Sequence, residues 1–224
     1  MSYLPCVEIE PSGPASAAVV WLHGLGANGH DFEPVVPELQ LPAAAGIRFV
    51  FPHAPAIPVT INGGMVMPAW YDILDLSIDR KVDVVQLGAS AKLTQALMDR
   101  EIERGIPSER IVVAGFSQGG AVAYEAALSY PQTLAGIMAL SAYFATEDSV
   151  ELHAANQGLP IFIGHGTHDP IVPERLGRHA SDTFSGKGFP TIYKTYPMEH
   201  SVCAAEIGDI SAWLQQTLPN EKSQ

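Results

Sequence analysis

Hydrophobic positions along the chain alternate between short apolar runs and longer stretches with helical spacing. The apolar runs predict β-strands at residues 4–10, 17–22, 48–51, 111–116, 134–140, 160–163 and 191–196. The stretches with apolar residues three and four apart predict helices at residues 31–39, 82–103, 118–130, 173–184 and 202–217. Most of the strand runs are continuously apolar, which is typical of strands covered on both faces. The pattern therefore predicts an α/β fold with a mostly parallel central sheet and helices on both faces.

The chain shows no internal repeat, low-complexity tract or interdomain linker. Its 224 residues are 47% hydrophobic, enough to build one full core, and we expect one domain over residues 1–224. The single long connection, residues 53–79, is rich in apolar side chains. A connection of that length in a compact domain usually serves function. We expect the functional site where loops leave the carboxyl ends of the strands.

Charge narrows the classes of partner. The formal net charge is −12 and the chain has only 12 Lys and Arg, so a nucleic-acid partner is not expected. The N-terminus lacks the basic start and apolar run of a signal peptide, and no uninterrupted apolar stretch is long enough to span a bilayer. We therefore expect a cytoplasmic protein without stable membrane insertion. Cys6 and Cys203 have no metal or redox spacing, which indicates reduced thiols.

A glycine-rich segment joins a predicted strand to a predicted helix. Residues 115–120 read Gly-Phe-Ser-Gln-Gly-Gly. A sharp strand-to-helix turn holds such a serine in a strained conformation and presents its hydroxyl near a helix N-terminus, whose amides favour developing negative charge. The segment predicts Ser117 as a nucleophile. The alternative is a glycine turn with a bystander serine.

A serine hydroxyl is a weak nucleophile unless an imidazole takes its proton and a carboxylate orients that imidazole. On this kind of turn the chain order is serine, then Asp or Glu, then histidine. His200 follows the last predicted strand and precedes the last predicted helix, so it is the predicted base. The histidines between Ser117 and that strand come too early. An ordinary surface or helix-capping histidine is the alternative.

The acid is predicted to lie in a proline-flanked loop. Residues 166–173 read Gly-Thr-His-Asp-Pro-Ile-Val-Pro and follow a predicted strand, which makes Asp169 the expected carboxylate. Asp182 and Glu174 are its competitors, but both fall in the predicted helix that follows. Asp169 could instead simply initiate an Asp-Pro turn.

Two histidine clusters are candidate metal sites. One contains His165, His168 and Asp169, and the other contains His23, His30 and Asp31. Neither has a standard zinc spacing such as H-E-x-x-H, so no metal and no other cofactor is expected. His23 and His165 each precede a glycine at a strand end. There, histidines more often support a site by hydrogen bonding.

Acyl transfer passes through a tetrahedral oxyanion that needs hydrogen-bond donors. The first expected donor is the backbone N–H of Gln118, the residue after the nucleophile. The second should come from the loop after an earlier strand. Residues 23–26 read His-Gly-Leu-Gly, and we predict the N–H of Leu25. A plain glycine turn is the alternative for that loop.

Seven sequence blocks together resemble the phospholipase/carboxylesterase family, which includes bacterial carboxylesterases, lysophospholipases and acyl-protein thioesterases. The blocks are Leu-His-Gly-Leu-Gly at 22–26 with Gly-His at 29–30, Phe-Pro-His-Ala-Pro at 51–55, Pro-Val-Thr-Ile-Asn-Gly-Gly-Met at 58–65, Trp-Tyr-Asp at 70–72, and those at 115–120, 166–173 and 198–201. They occur in family order from about residue 18 to 203. Glu199 departs from the pattern, because many members have glycine there.

The resemblance implies an α/β-hydrolase fold without a large lid and a Ser117–Asp169–His200 triad, with Leu25 and Gln118 at the oxyanion. It also implies that Met65, Trp70 and Val172 bind the substrate. We expect a serine carboxylesterase acting on esters with short to medium acyl chains. The alternatives are a lysophospholipase, an acyl-protein thioesterase or, more distantly, a non-catalytic ligand-binding scaffold. The apolar segment 57–67 could also form a homodimer contact.

Overall fold

The computed structural model describes residues 3–75 and 81–219. The strands are β1 Cys6–Ile9, β2 Ala17–Leu22, β3 Ile47–Pro52, β4 Ala56–Val59, β5 Met65–Pro68, β6 Ile111–Phe116, β7 Gly136–Leu140, β8 Ile161–Gly166 and β9 Thr191–Tyr196. The helices are α1 Val35–Glu38, α2 Val84–Glu103, α3 Gln118–Leu128, α4 Glu174–Gly186 and α5 Ala204–Thr217.

Seven strands form one sheet in the order β1-β3-β2-β6-β7-β8-β9. Every neighbouring pair is parallel except β1 with β3. Parallel neighbours require crossover connections, and helices occupy most of these, so both faces of the sheet are covered. The carboxyl ends of β2, β6, β7, β8 and β9 all lie at one edge of the sheet. This confirms the predicted mostly parallel sheet.

Two cores lie on opposite faces of the sheet. One includes Leu22, Val113 and Ile163 with buried residues of α2, α3 and α4. The other includes Trp21 and Phe162 with buried residues of α5. Successive residues of the central strands β2, β6, β7 and β8 therefore point into different cores, which is why these strands read as continuous apolar runs.

Apart from shifts of one to three residues at element ends, the structure differs from the predicted pattern in two places. The helix expected at 31–39 is limited to Val35–Glu38, in a segment where Pro34 and Pro37 remove two amide donors. Within the long connection 53–79, β4 and β5 form an antiparallel hairpin that the apolar pattern did not reveal. Residues 76–79 of that connection lie outside the described part of the chain.

The long helix α2 begins at a side-chain cap. Asp83 accepts hydrogen bonds from the amides of Val85 and Gln86, which satisfies two of the free donors at the helix N-terminus.

Among residues 3–75 and 81–219, no helix combines the length and hydropathy needed to span a membrane.

Candidate active site

Ser117 sits on a strained turn between β6 and α3. Its backbone has φ 54° and ψ −119°, a conformation that costs a residue with a side chain about 1–3 kcal/mol. The glycines around it are required by space. A Cβ at Gly115 would lie 2.2 Å from the Gly119 carbonyl oxygen, and one at Gly119 would lie 2.5 Å from the Leu22 carbonyl oxygen. The turn therefore brings α3 against both β6 and the end of β2.

Asp169 and His200 meet across the loops that follow β8 and β9. The Nδ1 atom of His200 lies 2.6 Å from Oδ2 of Asp169. The other carboxylate oxygen, Oδ1, accepts the amides of Val172 at 2.8 Å and Ile171 at 2.9 Å. One oxygen thus fixes the loop and the other faces the imidazole, an arrangement that holds the ring in one orientation.

These hydrogen bonds also keep Asp169 ionised. Burial by itself would raise the pKa of the Asp169 carboxyl, because a low-dielectric environment disfavours charge. The hydrogen bonds from His200 and from the amides of Val172 and Ile171 outweigh burial and hold that pKa below its usual value. The charged form can therefore stabilise an imidazolium next to it.

The imidazole of His200 lies beside the nucleophile turn. Its ring centroid is 4.7 Å from that of Phe116, the residue before Ser117. Ser117 is 9% exposed and the His200 side chain is 17% exposed, so both are reachable from solvent. The three predicted catalytic residues thus follow β6, β8 and β9, and all three lie at one edge of the sheet.

The loop after β2 approaches Ser117 closely. A Cβ at Gly24 would lie 3.5 Å from the Ser117 Cβ. The same loop is joined to the end of β5 by a hydrogen bond of 2.8 Å from the Gly26 amide to the Pro68 carbonyl. Within the described part of the chain, no acceptor pairs with the backbone N–H of Leu25 or of Gln118. Both amides are therefore free to bind an anionic oxygen.

The side chain of Gln118 links the turn to residues 70–71, a role that the sequence did not reveal. Its Oε1 accepts the Trp70 amide at 2.8 Å and its Nε2 donates to the Tyr71 carbonyl at 2.7 Å. The signal available in the sequence was a polar residue directly after the predicted nucleophile turn, because a polar side chain that becomes buried there needs hydrogen-bond partners.

Trp70 and Val172 were predicted to contact substrate, and the structure places both elsewhere. Trp70 is 1% exposed, and its indole N–H donates to the His23 carbonyl at 2.8 Å. Val172 is fully buried, and it acts on Asp169 through its amide. Side chains buried to this degree present no surface to a ligand, so both support the site from below. Met65 alone of the three is open, at 63% exposure.

His23 supports the loop after β2 through both ring nitrogens. Nδ1 lies 2.7 Å from the Gly24 carbonyl oxygen, so it carries the hydrogen, and Nε2 accepts the Ala54 amide at 3.1 Å. Burial lowers the pKa of His23 and favours the neutral ring that this pattern requires. Over residues 3–75 and 81–219, no group of three or more His, Cys, Asp or Glu is arranged to hold a metal ion.

The loops around Ser117 are acidic. The loops between β2, β7, β8 and β9 and the helices that follow them contain no Lys or Arg, whereas Asp31, Glu33, Glu147 and Glu199 lie in them. The first cation after the β8 loop is Arg175, in the first turn of α4. Among the described residues between β3 and α2, the one Lys or Arg is Lys81, which lies close to the start of α2. The edge that holds the triad therefore has a negative field.

The chain is similar to known hydrolases over almost its whole length. The profile of the phospholipase/carboxylesterase family matches residues 5–218. Acyl-protein thioesterase 1 of Gibberella zeae is 37% identical over 215 residues, which cover 91% of this chain and 92% of that protein. The Cryptococcus neoformans protein of the same name is 36% identical over 235 residues, covering 95% of this chain and 97% of that protein.

A solved structure of a similar protein has the same fold. The crystal structure of Zea mays acyl-protein thioesterase 2 matches with a TM-score of 0.83 at 30% identity, covering 96% of this chain and 100% of that one. No large lid is built in the described residues, since the connection between β7 and β8 contains only a three-residue helical turn. The chain therefore belongs to the phospholipase/carboxylesterase family, has the α/β-hydrolase fold and is a hydrolase of the ester or thioester class.

Proposed function

We propose that this protein is a serine hydrolase that cleaves fatty acyl thioesters on proteins, with Ser117, His200 and Asp169 as its catalytic triad. The Asp169–His200 hydrogen bond of 2.6 Å beside the strained Ser117 turn is the observation that carries the chemistry. The thioester preference is supported by relatives above 35% identity that are named acyl-protein thioesterase 1. This substrate class replaces the short-chain oxygen ester as the favoured one.

The reaction proceeds by acyl transfer through the enzyme. Ser117 Oγ attacks the thioester carbonyl carbon while His200 takes the hydroxyl proton, and the amides of Leu25 and Gln118 stabilise the oxyanion. The C–S bond breaks, and the thiol leaves with the proton from His200. Water then attacks the acyl-serine, His200 accepts a water proton and returns it to Ser117 Oγ, and the fatty acid is released.

The acidic edge supports a peptide substrate over an anionic lipid. A lysophospholipid carries a phosphate, and the loops between β2, β7, β8 and β9 and the helices that follow them contain no Lys or Arg to receive it. A peptide with Lys or Arg near the acylated cysteine would instead be attracted. We expect added salt to slow hydrolysis of such a basic peptide at subsaturating concentration and to speed hydrolysis of an acidic one.

A carboxylesterase for short to medium acyl chains is the second candidate. The short connection between β7 and β8 favours it, because an uncapped site admits small esters directly. Both candidates use the same triad. They differ in the leaving group that the site accelerates most.

The catalytic assignment is tested by Ser117→Ala. We expect kcat to fall by at least about 1,000-fold with the fold unchanged, since the nucleophile is lost. A fluorophosphonate should label Ser117 in the wild-type protein and leave the variant unlabelled. Full hydrolysis by Ser117→Ala would reject the triad.

The substrate class is tested with paired peptides of one sequence that carry the same acyl group on cysteine or on serine, together with a lysophospholipid of that acyl chain. Each kcat/KM is divided by the rate constant for hydroxide-catalysed hydrolysis of the same compound. We expect the thioester ratio to exceed the others by about tenfold or more, which corresponds to about 1.4 kcal/mol. A larger ratio for the oxygen ester would favour the carboxylesterase, and a larger ratio for the lipid would favour a lysophospholipase.

A further inference from the structure

His165 is a buried histidine that is not part of the proposed triad. It lies in β8, four residues before Asp169, and it is 0% exposed. Burial lowers the pKa of His165 and therefore favours its neutral form. A neutral imidazole has one N–H donor and one acceptor, so its partners identify which nitrogen holds the hydrogen.

The donor nitrogen of His165 serves the loop that carries the catalytic carboxylate. Nε2 lies 2.8 Å from the carbonyl oxygen of Val172, and a carbonyl can only accept, so Nε2 carries the hydrogen. The amide of the same residue, Val172, donates to Asp169 Oδ1 at 2.8 Å. His165 thus holds the carbonyl of the same residue whose amide binds Asp169. The same Nε2 atom also lies 3.6 Å from Asp169 Oδ2.

The opposite edge of the ring is wedged against α4. A Cβ at Gly177 would lie 2.2 Å from His165 Nδ1, so only glycine leaves room for the ring at this place. Among the described residues, Nδ1 has no hydrogen-bond partner. The ring is therefore held by packing on one side and by one hydrogen bond on the other, with no freedom to turn away from the Asp169 loop.

We propose that His165 is a positioning residue for catalysis, because its Nε2–H fixes the 169–172 loop so that Asp169 meets His200. This role of His165 rests on the proposed triad. His165 is then a second histidine that supports the triad without touching substrate. An aliphatic or aromatic side chain could fill the same space. Only a donor can satisfy the buried Val172 carbonyl, and an unsatisfied buried carbonyl would favour a rearranged loop.

The first test compares His165→Gln with His165→Phe. Glutamine can offer an N–H toward the Val172 carbonyl, whereas phenylalanine keeps a planar ring without a donor. We expect His165→Phe to lower kcat by about 10- to 30-fold with KM changed less than twofold, and His165→Gln to restore kcat to within about threefold of wild type. Near-ultraviolet circular dichroism at the assay temperature gives the folded fraction to which kcat is normalised.

A spectroscopic readout separates positioning from a general loss of stability. The proton shared by His200 Nδ1 and Asp169 Oδ2 should give a low-field ¹H resonance in the substrate-free protein. We expect this resonance in wild type and His165→Gln, and we expect it shifted or broadened in His165→Phe. Equal kcat values for the two variants after normalisation, or an unchanged resonance in His165→Phe, would overturn the proposal.

The second test acts on the ring without replacing it. Gly177→Ala places a methyl group against His165 Nδ1, while Gly186→Ala in the same helix meets no atom within 4 Å. We expect Gly177→Ala to lower kcat and alter the low-field resonance, and Gly186→Ala to change neither. A Gly177→Ala protein that is folded and behaves like Gly186→Ala would contradict the wedged ring.

Failure of the proposed function would look different. If Ser117→Ala remained fully active, the triad would be wrong whatever the behaviour of the His165 variants. The low-field resonance would still report whether His165 aligns Asp169 with His200, because it needs no substrate.

Discussion

The nucleophile turn and the β4–β5 hairpin both contain paired glycines, but for opposite reasons. Gly119 and Gly120 at the turn are packed so closely that an added Cβ would lie 2.5 Å from a carbonyl oxygen or 2.4 Å from the Cβ of Ala142. Gly63 and Gly64 at the hairpin tip have nothing within 4 Å, and they are glycine because their φ angles are +66° and +77°. Space fixes the residues in the first region, and backbone conformation fixes them in the second.

The difference shows how this edge of the protein divides its tasks. The turn is held by buried contacts, so the position of Ser117 follows from the core. The hairpin instead presents Met65 and Val66, each 63% exposed, and its side chains are free of such constraints. Changes at the turn should therefore alter chemistry, and changes at the hairpin should alter substrate preference.

Of the changes that test this comparison, Gly119→Ala is expected to have the largest effect. Its Cβ would collide with the carbonyl oxygens of Leu22 and His23, which are backbone atoms of the strand end that leads to Leu25. We expect kcat/KM to fall by roughly 100-fold or more as the oxyanion donors separate. Gly88→Ala in α2 meets no atom within 4 Å and is the matched control. Near-wild-type activity of Gly119→Ala would show that the turn tolerates displacement.

A smaller effect is expected from Gln118→Met, which breaks the link between the turn and residues 70–71. Its backbone amide remains, but the Trp70 amide and the Tyr71 carbonyl lose their buried partners. We expect about a 10-fold loss in kcat/KM and a free energy of unfolding lower by about 1–3 kcal/mol. Denaturant unfolding and steady-state kinetics measure the two. A loss of stability without a loss of activity would mean that the link is only structural.

His23 gives a pH-dependent prediction, because its Nε2 must be unprotonated to accept the Ala54 amide at the base of the hairpin. Burial lowers the folded-state pKa of His23 below the unfolded value of about 6.5. The stabilisation is therefore fully present above pH 6.5 and is lost as the pH falls towards the folded-state pKa. Wild type should lose stability as the pH is lowered from 7.5 to 5.5. In His23→Gln we expect this loss to be smaller by roughly 1 kcal/mol. Identical pH profiles would contradict this.

The smallest effect is expected from replacing Met65 and Val66 together by serine. Burial of an acyl tail against these exposed side chains would be weakened, so we expect KM for a long acyl chain to rise about threefold to tenfold. Hydrolysis of an acetyl substrate should change less than twofold. An equal change for both chain lengths would place the hairpin outside the acyl-binding surface. Gly64→Ala, which strains the tip without adding a contact, should leave both rates unchanged and serves as the control.

Much of the framework could be predicted from local pattern. The strands β2, β6 and β9 have the predicted bounds. β2 and β6 are apolar runs flanked by turn residues, and β9 is rich in Thr, Ile and Tyr, and both patterns are strong strand signals. The hairpin was missed, since β4 and β5 have four residues each, contain Pro58 and Pro68, and pair mainly with each other. The expected first helix shortened because two prolines limit its hydrogen bonds. Short elements depend on neighbours that a local pattern does not include.

The sequence by itself determined the order of the strands along the chain, the glycine-flanked Ser117, and the choice of Asp169 and His200 from their places after successive strands. Each of these depends on local spacing. Only the tertiary structure decided that Trp70 and Val172 lie beneath the site, that Gln118 joins the turn to residues 70–71, and that His165 reaches the loop of Asp169. Those relationships arise from packing between segments far apart in the chain, and spacing along the sequence does not encode which of them touch.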